Sequence, residues 1–320
     1  YSCPTPISDG KRIYVLINGL GIAASYDHDG NFKWAQLVTD MGDPGAFHCN
    51  TPVLVEGKFT VLRGSVLRAF DAETGKVAWT STDLRKAVGV DIWHGYGTGA
   101  SFSSSPCVAK IRETSVVFFN SSVTRVADGK VLAQIHLDLD GNVRTTPFAM
   151  DNAIWVAGQF SMQRIPLPEA AQEGLVLTKA SDGGKWESGD IAFYSSPVLN
   201  DGLLYGMRHD GKLWVDEANP PKQAYVQDLK LGYYSDYDHI GNVASIAMGG
   251  RHLFALNNQG TAVVFEPGKV FKEITRNRIA HCVERIYNYD PDEIFNSAPI
   301  FEGERMYLRG EQNIYCIGKK

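Results

Sequence analysis

One short pattern recurs along this chain and limits its fold more than any other feature. A small residue, a proline and an apolar residue stand together at Thr5-Pro6-Ile7, Thr51-Pro52-Val53, Ser105-Pro106-Cys107, Thr146-Pro147-Phe148, Ser196-Pro197-Val198 and Ala298-Pro299-Ile300. Ser245-Ile246-Ala247 fills a seventh place with the proline replaced. The markers are about 41 to 54 residues apart, a spacing that points to repeated supersecondary units.

Each marker leads into the same events. A tight turn comes first, as in Ser8-Asp9-Gly10, Val55-Glu56-Gly57, Asn200-Asp201-Gly202, Met248-Gly249-Gly250 and Phe301-Glu302-Gly303. A β-branched and aromatic segment follows, at 12–17, 58–63, 115–120, 153–158, 203–208, 252–257 and 305–310. A third segment is clear at 66–71, 212–217, 261–266 and 313–318, and a fourth at 32–38, 77–81, 131–136, 224–229 and 270–275. Short runs of this kind between Gly, Asp and Asn are strands joined by hairpins. Four antiparallel strands repeated seven times predict an all-β protein, a β-propeller of seven four-stranded blades over residues 1–320 as one domain. An eighth blade would need residues upstream of Tyr1. Blades stacked face to face bury both sides of each sheet, so the strands need not alternate cleanly between apolar and polar residues.

One unit reads Ala69-Phe70-Asp71-Ala72-Glu73-Thr74-Gly75-Lys76-Val77-Ala78-Trp79. It resembles the A-x-D-x-x-T-G-x-x-x-W signature of the pyrroloquinoline-quinone-like (PQQ-like) repeat. The resemblance implies structural roles for Asp71, Thr74 and Gly75 in shaping the turn, and for Trp79 in packing between blades. A partial copy, Asp27-His28-Asp29-Gly30-Asn31-Phe32-Lys33-Trp34, gives Trp34 the same role. Asp128-Gly129-Lys130, Asp182-Gly183-Gly184-Lys185-Trp186 and Pro267-Gly268-Lys269 keep fragments. The family includes quinoprotein dehydrogenases, which are much longer and hold the quinone and calcium, often under a ring of adjacent cysteines. It also includes non-catalytic binding propellers, such as the lipoprotein of the bacterial outer-membrane β-barrel assembly machinery. Here the five cysteines, Cys3, Cys49, Cys107, Cys282 and Cys316, include no adjacent pair, which favours the second kind. No cofactor is predicted, and a metal ion or PQQ stays open as the alternative.

Composition narrows the partners. The chain is 44% hydrophobic and 21% charged, a globular balance, with a net charge of −5 and no run of Lys or Arg. Nucleic acid and anionic membranes therefore gain no electrostatic hold. No apolar stretch is long enough to span a bilayer. The chain opens at Tyr1, which a removed export signal, or an upstream lipid or membrane anchor, would explain. A periplasmic or extracellular bacterial location is the expectation. Cys3 and Cys49 precede their marker prolines at matching places, where a bond between them would link adjacent inner strands, though free buried thiols are the expected state.

Propeller geometry puts the turns between second and third strands on the same side as the links between blades. The links at 39–50, 82–104, 230–243 and 277–296 are long and unlike one another, as loops that carry function are. They and the neighbouring turns hold the candidate ligand-binding residues His48, Trp93, His94, Tyr96, Arg144, Tyr237, His239, His281 and Arg285, with Arg63, Arg208, His209, Asp210 and Arg309 in shorter turns. Aromatic, imidazole and guanidinium groups suit a protein, peptide or carbohydrate partner. The same imidazoles, His48, His94, His239 and His281, with Asp236, are the metal candidates for an alternative enzyme with a metal- or quinone-dependent site in the central funnel. Asp27–Asn31 and Asp138–Asn142 look like fragments of calcium loops but lack the closing Glu, so both are read as ordinary turns. The expectation is a non-catalytic binding or scaffolding propeller whose long links form the contact face.

Overall fold

The structure is a computed structural model. It describes residues 4–41, 50–84, 105–119, 122–135, 137, 145–158, 161–179, 185–187, 195–208, 210–219, 221–231, 245–279, 295, 297–310 and 312–318. The protein is an all-β, seven-bladed propeller. Among the described residues helix is almost absent, a 3-10 turn at Thr39–Met41 and the single residue Leu84. The blades divide into two compact units, Tyr1–Lys185 and Trp186–Lys320.

In the first unit, blade 1 is Ile7–Ser8, Arg12–Ile17, Ile22–Asp27 and Phe32–Leu37. Blade 2 is Val53–Val55, Lys58–Arg63, Val66–Asp71 and Val77–Thr80. Blade 3 is Cys107–Ile111, Thr114–Phe119, Ser122–Arg125 and Val131–Ile135, and blade 4 is Phe148–Met150, Ala153–Ala157, Ser161–Pro166 and Lys185–Glu187, the last strand containing the boundary between the units. In the second unit, blade 5 is Val198–Asn200, Leu203–Met207, Lys212–Ala218 and Pro221–Asp228. Blade 6 is Ser245–Gly249, His252–Leu256, Thr261–Glu266 and Lys272–Arg278. Blade 7 has three strands among the described residues, Ile300–Glu302, Arg305–Arg309 and Ile314–Gly318. Consecutive strands pair antiparallel, as Val53↔Thr60 and Lys58↔Asp71 show in blade 2. Glu56-Gly57 and Asp201-Gly202 turn with φ of 49° and 67°, and 48° and 73°, the double positive φ of a type I′ hairpin.

The core lies in layers between blades. In blade 2, Phe59 and Val61 pack toward blade 1 with Tyr14, Leu16 and Trp34. Leu62 and Leu67 pack the other way, with Val117 and Phe119 of blade 3. Val116 and Phe118 then face Ile154, Val156 and Ile165 of blade 4. Successive residues of one strand thus serve opposite neighbours, which is why Val116–Phe119 is an unbroken apolar run. Blade 5 meets blade 6 through Leu203, Tyr205, Met207, Leu253 and Phe265.

The markers and the signature residues tie these layers together. Thr5 N–H donates to Thr51 Oγ1 at 3.2 Å, and Thr51 N–H to Ser105 Oγ at 2.9 Å, so a hydroxylated residue before proline links one innermost strand to the next. Trp34 and Trp79 are buried at 6% and 8% exposure. Trp34 Nε1–H donates to Ala72 O at 3.0 Å, and Trp79 Nε1–H to Val126 O at 2.7 Å, each in the next blade. Gly75 and Gly129 lie under these indoles, where an added Cβ would come within 2.5 Å of the ring. Asp71 Oδ1 accepts the Thr74 N–H and hydroxyl, both at 2.7 Å, which fixes the turn that presents Gly75.

Besides the three described strands of blade 7, two features depart from the expected plan. Blade 3 has a fifth strand, Leu175–Leu177, sent across from the segment between the third and fourth strands of blade 4. The fourth strands of blades 5 and 6 begin and end elsewhere than their apolar runs suggest, at Pro221–Asp228 and Lys272–Arg278. The Asp27 loop is a turn, as expected. Its carboxylate accepts Asp29 N–H, Asn31 N–H and Asn31 Nδ2, at 3.0, 2.8 and 2.9 Å, and pairs with Lys33 Nζ at 2.8 Å.

Candidate functional site

The long links leave the blades from fixed roots. Val38 N–H donates to Gly21 O at 2.8 Å, in the turn between the second and third strands of blade 1. Leu84 N–H donates to Ser65 O at 2.8 Å, in the corresponding turn of blade 2. In blade 5, Leu229 N–H reaches Gly211 O at 3.4 Å. In blade 6, Ile279 N–H reaches Gly260 O at 3.1 Å and Phe295 N–H reaches Asn258 O at 2.9 Å, so both roots of that link sit on one turn. Links and second-to-third turns therefore share a side in each of these blades.

Charged side chains reinforce the roots. Arg68 grips Asp40 through both guanidinium nitrogens, at 2.9 and 2.8 Å, and its hydrogen bonds hold the Asp40 carboxyl below the usual range. Ser65 Oγ–H donates to Asp83 Oδ1 at 2.6 Å. Arg63, read from sequence as a lining residue, is buried and donates to Asn18 O and, at 3.2 Å, to Asn18 Oδ1, joining two turns of adjacent blades. Asp210 pairs with Arg208 at 3.4 Å and Lys212 at 3.1 Å. His48, Trp93, His94, Tyr96, Arg144, His209, Asp236, Tyr237, His239, His281 and Arg285 lie outside the described residues, as do Cys3 and Cys49. Of the remaining cysteines, Cys107 and Cys316 are free thiols. Cys107 is buried, which pushes its thiol up to about 12, while Cys316 is exposed.

The sequence of residues 2–219 matches the model of one protein family, described as outer membrane protein assembly factor BamB. The chain belongs to this family. The match runs from blade 1 to the third strand of blade 5 and includes both tryptophan docks. No curated protein matches the chain by sequence. Among solved structures, BamB from Moraxella catarrhalis superposes with a TM-score of 0.63 at 12% identity, over 98% of this chain and 82% of that one. The C-terminal WD40 domain of Sif2 gives 0.61 at 8% identity, over 100% and 81%. The designed protein Ika8 gives 0.60 at 8%, over 98% and 82%. At such identities the likeness is one of fold.

Within this BamB-family frame, one group stands out that the sequence reading missed. Asp216, in the third strand of blade 5, is buried and its Oδ1 has no hydrogen-bond partner among the described residues. Burial raises its carboxyl to about 7. The signal was an acidic residue directly after the apolar run Leu213-Trp214-Val215, within the same strand. Among the described residues no three of His, Cys, Asp and Glu are grouped to hold a metal, and no helix is long and apolar enough to cross a membrane.

Proposed function

We propose that this chain, as one propeller domain over residues 1–320, is an extracytoplasmic, non-catalytic binding scaffold whose long inter-blade links hold a protein, peptide or carbohydrate partner. Family membership carries the reading, since the family is described by an outer membrane protein assembly factor. The anchored roots support it: polar side chains at the link bases are engaged with one another and with backbone, which leaves recognition to the link tips. His48, Trp93, His94, Tyr96, Arg144, Tyr237, His239, His281 and Arg285 are the contact residues of this reading. The partner it favours is a protein of outer-membrane assembly, and the location it favours is the bacterial periplasm.

The test is a His94→Ala, His239→Ala double variant in the native host. Its melting temperature should match the parent's, while co-purification with the outer-membrane assembly proteins falls. Undiminished co-purification would remove the links from the interface. Metal analysis of the purified parent addresses the alternative, because a stoichiometric metal lost in the double variant would make the funnel an enzyme or metal site instead.

A further inference from the structure

The outermost strands of the blades are mostly charged. Lys33 lies in the fourth strand of blade 1, Lys185 and Glu187 in that of blade 4, Lys222 in that of blade 5, and Lys272 and Arg276 in that of blade 6. Charge on a free edge discourages pairing with another chain. Two fourth strands carry none, Val77–Thr80 of blade 2 and Val131–Ile135 of blade 3. The second is covered, because Leu175–Leu177 pairs with it in parallel, Ala133↔Leu175 to Ile135↔Leu177. The first has no strand beside it among the described residues.

Alternation along the ladder shows what this edge offers. Ser81 N–H donates to Leu67 O at 2.8 Å, so the next pair inward, Arg68↔Thr80, is a non-hydrogen-bonded pair. The N–H and C=O of Thr80 therefore point away from the sheet. Thr80 and Thr82 line one wall of a groove of about 630 Å³, open to solvent, with blade 3 on the other. The blade 3 wall carries the additional strand. Leu175 and Leu177 pack into the layer toward blade 4, which leaves Val176, 56% exposed, on the groove side. The charges at the mouth cancel: Arg125 pairs with Asp128 at 2.6 Å and Lys130 with Glu173 at 3.2 Å.

We propose that the free edge of Val77–Thr80 receives an extended segment of a partner protein, which becomes the fifth strand of blade 2 and sets an uncharged apolar side chain against Val176. Unpaired backbone is best satisfied by backbone, and adding a strand to an open edge is a recurring mode of peptide recognition. The neutral groove selects a neutral segment, since a charge set against Val176 would be desolvated without a partner. Blade 3 shows the arrangement inside this molecule, with Leu175–Leu177 in the corresponding place. The site is separate from the links.

The test titrates the full chain with a fluorescein-labelled hexapeptide of alternating threonine and valine, acetylated and amidated. Saturable binding is expected, and the same peptide N-methylated at alternate residues should not bind. Thr80→Pro removes the outward N–H, and Val176→Asp places a charge on the facing wall. Each should weaken binding about tenfold, near the worth of one hydrogen bond. Val176 is an exposed residue, so Val176→Asp leaves the fold intact even if Thr80→Pro disturbs its strand. No saturable binding to the parent, or binding that survives either substitution, overturns the proposal. So does self-association of the parent that Thr80→Pro abolishes without peptide binding, since the occupant would then be a second copy.

Discussion

Blades 1 to 3 and blades 5 to 6 solve the same packing problem with different chemistry. In the first unit an indole from the outer strand of blade 1 and another from that of blade 2 lie on the glycine of the next blade's turn and donate to a carbonyl beside it, Trp34 over Gly75 and Trp79 over Gly129. Blade 5 has no tryptophan in its outer strand. It reaches blade 6 through the Tyr205 hydroxyl, which accepts Gly268 N–H at 2.8 Å, and through a Lys269–Glu217 pair at 2.9 Å. A Cβ on Gly268 would meet nothing within 4 Å. The acids differ too. Asp40, Asp71 and Asp128 are held below the usual range by Arg68, Thr74 and Arg125, whereas burial alone raises Asp216. The first unit is specified by directional contacts that the signature encodes, the second mainly by apolar layers.

The sharpest way to break this comparison is to remove an indole. Trp79→Ala should cost about 3–5 kcal/mol, as loss of a large buried side chain does. Its Nε1–H bond to Val126 O and its cover over Gly129 go together. Denaturant unfolding measures the cost. A midpoint equal to the parent's would mean that the dock contributes nothing.

A smaller effect isolates the contact itself. Gly129 and Gly202 both have positive φ, 75° and 73°, so alanine is strained at either. Only Gly129 has a ring above it, 2.5 Å from an added Cβ, while Gly202 has nothing within 4 Å. Gly202→Ala should cost about 1–2 kcal/mol, and Gly129→Ala roughly 1–3 kcal/mol more. Equal losses would show that the turn and not the indole sets the requirement for glycine.

The contrast also explains what the sequence made legible. The blade count, the docking tryptophans and the turn built on Asp71 were readable because each leaves a local signature. Leu175–Leu177 was not, since a three-residue apolar run between loop residues says nothing about a distant parallel partner. Pro221–Asp228 starts earlier than its apolar run, because proline is tolerated at the first residue of an edge strand. Lys272–Arg278 is exposed throughout, so an apolar pattern pointed instead to Val270 and Phe271. At the candidate site, link length could be read and so could the residue types within the links. The role of Arg63 could not, because an arginine at a turn looks the same whether it lines a pocket or, as here, bonds the turn of the preceding blade.

The smallest effect tests the acid of the second unit, and it depends on pH. Asp216 has a folded carboxyl near 7 against an ordinary 3.8, so the folded protein binds that proton more tightly than the unfolded chain. Its contribution to stability is complete below about pH 4, declines as pH rises toward 7, and is lost above it. Asp216→Asn keeps the shape of the protonated acid and cannot ionise. The variant should match the parent near pH 4 and exceed it at pH 8 by about 2 kcal/mol, the scale for relieving a poorly solvated buried group. Melting temperatures measured from pH 4 to 8 should therefore diverge only as the parent's carboxyl ionises. The outcome that would sink this account is a constant offset across the range, which would assign the change to packing around residue 216 and not to its proton.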